Sequence, residues 1–229
     1  MWIKGGWWSI THFPFDLHAR MAKPLIRVAI IGTSGRTEAE RARLSAPVLE
    51  YWRQQALARI HACQLEPERV MLVSGGSAWA DHVAVLLFLF GDQEGRDFAG
   101  LELHMPCRTS VQRDHVDGVS RVRWEGTHAD GRRLYELHAQ FSHDAGRDTL
   151  ADLGHAILLG AQVSVAEGFL ARNRRIARGV EGGGPPRFAI AFSAAPVEGN
   201  EPPAKSGTAY TWGLLGPNCT RAFVTYQPT

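Results

Sequence analysis

The most constraining feature of this chain is a unit that occurs twice in its first hundred residues: a short β-branched run, a polar turn bearing glycine, then an apolar helical stretch. Leu25-Ile26-Arg27-Val28-Ala29-Ile30-Ile31 stops at Gly32-Thr33-Ser34-Gly35-Arg36. A helix is predicted from Ser45, a residue type that caps helices, through Pro47 to about His61, with Val48, Leu49, Trp52, Ala56 and Ile60 at helical spacing. Arg69 to Val73 reads as a second strand, Ser74-Gly75-Gly76-Ser77 as its turn, and Trp79 to Phe90 as a mostly buried helix ending near Gly91. Leu101 to Met105 is a shorter third strand closed by Pro106. Strand, turn and helix in succession predict an α/β fold, a Rossmann-like parallel sheet flanked by helices in a single domain. In such sheets ligands lie at the carboxyl ends of the strands.

The rest of the chain extends this pattern. Residues 108–145 are rich in His, Arg, Asp and Gly, with alternation from Val119 to Trp124, and read as an inserted hairpin or lid. A helical pattern returns at Thr149 with Leu150, Leu153, Ile157 and Leu158, and another is predicted from near Ser164 to Arg178, broken by Gly182-Gly183-Gly184-Pro185-Pro186. Arg187 to Phe192 reads as a fourth strand, residues 197–205 as a loop, Ser206-Gly207-Thr208 as the opening of a helix to Leu215, and Arg221 to Tyr226 as a last strand. The domain is placed at residues 25–229. Residues 1–24 form an irregular extension whose Trp2, Trp7, Trp8, Phe13 and Phe15 are expected to pack on the core or on another subunit.

Composition narrows the function classes. A formal charge of +2 gives no broad electrostatic case for nucleic acid or an anionic membrane. The longest apolar run, Val83 to Phe90, is too short to span a bilayer, and the first residues hold no continuous apolar segment of the kind export signals need. Cys63, Cys107 and Cys219 are odd in number and far apart, which favours a reducing, cytoplasmic setting over a disulfide framework.

Four features concentrate chemistry, three turns and one basic run. Gly32-Thr33-Ser34-Gly35-Arg36 offers backbone N–H groups, two hydroxyls and a cation, all suited to phosphate oxygens. The diglycine turn Ser74-Gly75-Gly76 is followed by Asp81, which can bind a ribose hydroxyl or complement the positive end of the helix. Arg172 and Asn173 sit in a basic run that reads either as a solvated helix face or as a charge-assisted grip on phosphate. Gly207, Thr208 and Thr211 bring hydroxyls and glycine to one more helix start.

The segments IGTSGR, LVSGGSAWAD, FLARNRRIARG, AIAF and SGTAYT, in this order over roughly residues 26–215, resemble the SLOG superfamily. That group includes the DprA/Smf recombination mediators, YpsA-like proteins and Lonely-guy phosphoribohydrolases. The resemblance implies a nucleotide or nucleotide-derived ligand over Gly32–Arg36, Ser74–Asp81, Arg172–Asn173 and Gly207–Thr211. Lonely-guy hydrolases carry a PGG-x-GT-x-x-E motif; here Gly207-Thr208 lacks the preceding diglycine and Thr211 stands at the glutamate position. Threonine cannot supply that carboxylate, which weighs against the family's N-glycosidic chemistry unless Glu198 or Glu201 substitutes.

No cofactor is expected: the chain has no G-x-G-x-x-G fingerprint and no P-loop lysine. No metal is expected either, because its ten histidines show no ligand spacing. Three readings stand. The chain senses or sequesters a nucleotide-like phosphate ligand, ADP-ribose-like or cyclic, as a homo-oligomer. Alternatively it is a (phospho)ribosyl hydrolase or transferase using Asp81, Glu198 or Glu201. The third is a DprA-like single-strand binder, for which Arg172 to Arg178 and Trp79 speak and the near-neutral charge does not.

Overall fold

The computed structural model describes residues 24–125, 129–180, 183–195 and 201–226. The N-terminal aromatic residues named above lie outside the described residues, as do Gly182 and Glu198. Eight strands are described: β1 (Ile26–Gly32), β2 (Val70–Ser74), β3 (Gly100–Met105), β4 (Thr109–Arg113), β5 (Ser120–Trp124), β6 (Gln162–Val165), β7 (Phe188–Ser193) and β8 (Thr220–Thr225). The helices are α1 (Glu38–Arg41), α2 (Ala46–Ala62), α3 (His82–Phe90), α4 (Ala129–Ala145), α5 (Thr149–Leu158), α6 (Phe169–Arg178) and α7 (Gly207–Leu214). None of them is long and apolar enough to cross a membrane.

Six strands make one sheet in the order β6-β3-β2-β1-β7-β8, and every neighbouring pair is parallel. The protein is therefore an α/β protein with a Rossmann-like parallel sheet. β1 runs through its centre because its apolar residues serve both faces, as strands covered on two sides must. Val28 and Ile30 join the core formed with α2, α3, α4 and α5; Ala29 and Ile31 face Ile176 and Ala177 of α6 and Trp212 of α7. Trp52 of α2 is fully buried and stacks on Phe192 of β7 with ring centroids 5.4 Å apart. From β1 the chain works outward through β2, β3 and β6, then returns to lay β7 and β8 on the other side. Strand order thus reverses between β1 and β7, where such sheets open a crevice at their carboxyl ends.

The reading of residues 108–145 as an inserted hairpin is met in part. β4 and β5 pair antiparallel as a separate two-stranded ribbon, but the 17-residue α4 follows, which sequence patterning missed. The helix predicted from near Ser164 is corrected. Gln162 to Val165 is the edge strand β6, in register with Glu102 to Met105, and α6 begins only at Phe169. Ser164 there turns its hydroxyl to His104, with Oγ and Nδ1 2.6 Å apart, while Val163 and Val165 take the opposite face. Arg187 to Phe192 is accordingly the fifth strand of the sheet in chain order, not the fourth. The helix predicted from Trp79 starts three residues later, because Trp79 has φ 60°, a left-handed conformation no α-helix accepts. Ser45 sits at the N-cap of α2 without a capping hydrogen bond from its side chain.

Candidate functional site

A cavity of about 360 Å³ opens at the β1/β7 reversal. Its floor is Ile31 and Gly32 at the end of β1 and Phe192 of β7. Gly32 is required there by proximity: a β-carbon would lie 2.2 Å from the Phe192 carbonyl oxygen. Beyond it the chain is pinned at Thr33, whose N–H donates to Phe192 O at 3.0 Å and whose Oγ1 accepts from Ala194 N at 3.2 Å. The Thr33 carbonyl in turn accepts from Ala80 N at 3.1 Å, tying the first turn to the second.

Ten of the sequence-predicted residues line this cavity: Gly32, Thr33, Ser34, Arg36, Asp81, Arg172, Asn173, Gly207, Thr208 and Thr211. Ser74, Gly75 and Gly76 do not; they lie behind it and shape its wall. Ser74 Oγ donates to the Asp81 carbonyl at 2.7 Å and accepts from Gly76 N at 3.3 Å. Gly75 O accepts from Arg172 Nη1 at 3.3 Å. A β-carbon on Gly75 would come within 2.6 Å of Asp81 Oδ2 and 2.7 Å of Arg172 Cζ, so only glycine leaves room for that pair.

Asp81 and Arg172 are both buried, with Oδ2 and Nη1 3.6 Å apart. The Asp81 carboxylate accepts from Ser77 N at 3.3 Å and makes no capping bond to α3, so its side chain serves the turn and the arginine rather than the helix end. Burial pushes the Asp81 carboxyl above the usual carboxylate range, and Arg172 is the strongest influence the other way. Arg172 also donates from Nε and Nη2 to Asn173 Oδ1, at 3.1 and 2.9 Å. Asn173 passes the connection on, its Nδ2 donating to Gly207 O at 3.3 Å. The basic run divides accordingly. Arg172 and Asn173 turn inward, whereas Arg174 donates to the Tyr210 hydroxyl at 2.8 Å and Arg175 to the Val165 carbonyl.

Arg36 and Arg172 converge on one ring: their guanidinium carbons lie 4.8 and 5.1 Å from the centroid of Phe169. Cation–π attraction offsets part of their mutual repulsion. Another part of the wall is the start of α7. Ser206 caps it by accepting from Ala209 N at 2.9 Å, and Thr211 donates to Gly207 O at 3.0 Å.

Sequence reasoning did not single out Thr37, Glu40 and Lys205, which also line the cavity, as do Ser77 and Ser206 of the turns it named. Thr37 and Glu40 form a capping box on α1, a T-x-x-E signature visible in the sequence. The Glu40 carboxylate accepts from Arg36 N at 2.7 Å and so positions the first turn. Lys205 adopts φ 63° just before the α7 cap. Ser77 is buried, and its Oγ has no hydrogen-bond partner among the described residues. The lining therefore holds three cations, two carboxylates and seven hydroxyls. Of the loop carboxylates considered as substitutes for the missing glutamate, Glu201 is exposed and does not line the cavity.

The fold and the site define a Rossmann-type α/β protein with a cationic, hydroxyl-rich cavity at the reversal of strand order. Its sequence is similar to "Uncharacterized protein R261" of Acanthamoeba polyphaga mimivirus, with 34% identity over 195 residues, 84% of this chain and 92% of the viral protein. The chain belongs to the family of that viral protein. No family model and no solved structure matches it.

Proposed function

We propose that the chain binds a nucleotide or nucleotide-derived phosphate ester, of the ADP-ribose or cyclic-nucleotide kind, and acts as its sensor or sequestering protein. The observation that carries this reading is that Arg36 and Arg172, each against the ring of Phe169, line one cavity with Lys205 and seven hydroxyls. Both guanidinium groups line the cavity, Arg172 already paired with Asp81, and the fork geometry of a guanidinium matches phosphate. The start of α7 and the unpartnered Ser77 hydroxyl add donors for further oxygens. Native mass spectrometry of the purified protein and of Arg36→Ala tests it. A phosphate ester retained by the parent and lost from the variant is the expected result; an empty parent that no added phosphate ester loads would overturn it.

A second reading, hydrolysis or transfer of a (phospho)ribosyl group, draws on Asp81, a buried carboxyl with a raised pKa in the same cavity. Release of free base from a bound nucleotide, abolished by Asp81→Asn, would establish it. Self-association belongs to the same proposal. Leu158, Leu159, Val163, Val165 and Leu170 are exposed in and beside the edge strand β6, an apolar rim that a second copy would cover. Sedimentation of the parent as a dimer and of Val163→Lys as a monomer is expected.

A further inference from the structure

We infer that α4, carried by the insertion between β3 and β6, braces the cavity, with His138 as the positioning residue for the Ser74–Asp81 turn. The inference rests on the reading of the cavity as the ligand site and adds the element that holds it in shape. α4 reaches both glycine turns from one side. His138 Nε2 lies 3.2 Å from Gly76 O, and its Nδ1 lies 3.0 Å from Thr149 Oγ1. A carbonyl only accepts, so Nε2 carries the proton, and Nδ1 of the neutral ring accepts from the threonine hydroxyl. Ser142 Oγ, 2.8 Å from Thr149 Oγ1, extends this chain of hydroxyls.

One turn further along α4, Phe141 packs on Trp79 with centroids 4.4 Å apart. Trp79 holds its left-handed backbone with a bulky side chain, a conformation that persists only where the surroundings impose it. Its indole also lies against the first turn: a β-carbon on Gly35 would come within 3.1 Å of Nε1. At the other end of the helix Arg133 Nη2 donates to Arg36 O at 3.4 Å. Three residues of one helix therefore fix the turns that carry Arg36 and Asp81, yet none of the three lines the cavity.

The test is hydrogen–deuterium exchange of the ligand-free protein, comparing the parent with His138→Leu and His138→Gln. Leucine removes the donor to Gly76 O; the glutamine amide restores one at nearly the same place. His138→Leu is expected to speed exchange at least tenfold over residues 75–80 while β7 and β8 keep parental protection, and His138→Gln to return residues 75–80 to within threefold of the parent. Unchanged exchange over residues 75–80, or acceleration spread equally across the sheet, would overturn the inference. Ribose 5-phosphate titrated into the same three proteins separates the two claims. If the parent binds it, His138→Leu should bind at least fivefold more weakly. If the parent binds neither it nor any nucleotide, the ligand reading fails while the exchange result still decides the brace.

Discussion

The carboxylate of Asp81, at the N-cap of α3, and the guanidinium of Arg172, in α6, meet 3.6 Å apart beside Gly75, with almost no contact with solvent. Burial disfavours charge on both, so each depends on the other and on the turn that separates them.

Breaking that pair is expected to destabilise the fold strongly. Arg172→Ala leaves a buried carboxylate unpaired, at a cost of about 3–5 kcal/mol, and weakens ligand binding by about 1.5–3 kcal/mol. Combining it with Asp81→Asn should cost less than the sum of the two single changes. Denaturant titration of the four proteins checks this; strict additivity would mean that the two groups do not interact.

Gly75→Ala places a methyl group against both partners at once. Overpacking of this kind typically costs about 1–3 kcal/mol. The variant should melt below the parent, and its affinity for phosphate esters should fall with it, since the group displaced belongs to the cavity wall. A melting temperature equal to the parent's would show that the pair is not as close-packed as described.

Ser77 separates binding from stability. Its Oγ is buried without a partner among the described residues, so Ser77→Ala removes an unsatisfied polar atom and should leave stability unchanged or raise it slightly. The same change should weaken a ligand that the hydroxyl contacts by about 1 kcal/mol. Calorimetric unfolding and binding measured on one preparation give both values. Loss of stability with full affinity would reverse the assignment.

Histidine 138 makes stability depend on pH in a defined direction. Burial lowers its pKa from 6.5 to about 3, with His82 as a further unfavourable neighbour. Between those values the unfolded chain binds a proton that the native ring does not, so this contribution is fully present above pH 6.5 and is lost as pH falls toward 3. His104, whose pKa burial lowers to about 4, acts in the same sense. The stability advantage of the parent over His138→Gln should therefore shrink by about 1.4 kcal/mol per pH unit below 6.5. Urea titrations at pH 5, 6 and 7 measure it, and a pH-independent difference would remove His138 from the account.

The elements legible in the sequence were those whose apolar residues form unbroken runs ended by glycine, as in β1 and β2, because strands buried on both faces leave that mark. β6 was not legible as a strand. Its four residues lie at a half-exposed sheet edge and run directly into the pattern of α6. α4 was hidden for a related reason: Leu134, Leu137 and Phe141 make a narrow apolar stripe among charged residues, and the buried His138 interrupts the pattern a core helix would show. At the site, glycine and hydroxyl residues at strand ends pointed to the turns. Lys205 lines the cavity with a left-handed backbone, which depends on tertiary packing and has no compositional signature. The separation of Arg172 from Arg174 and Arg175 likewise follows from which side of α6 meets the sheet.

The most direct test of the central claim is calorimetric titration of the parent and of Arg36→Ala with AMP, ADP-ribose and a cyclic dinucleotide. Saturable binding of at least one of them to the parent, weakened tenfold or more in the variant, is the result this account predicts. Absence of binding by all three, or equal binding by both proteins, would contradict it.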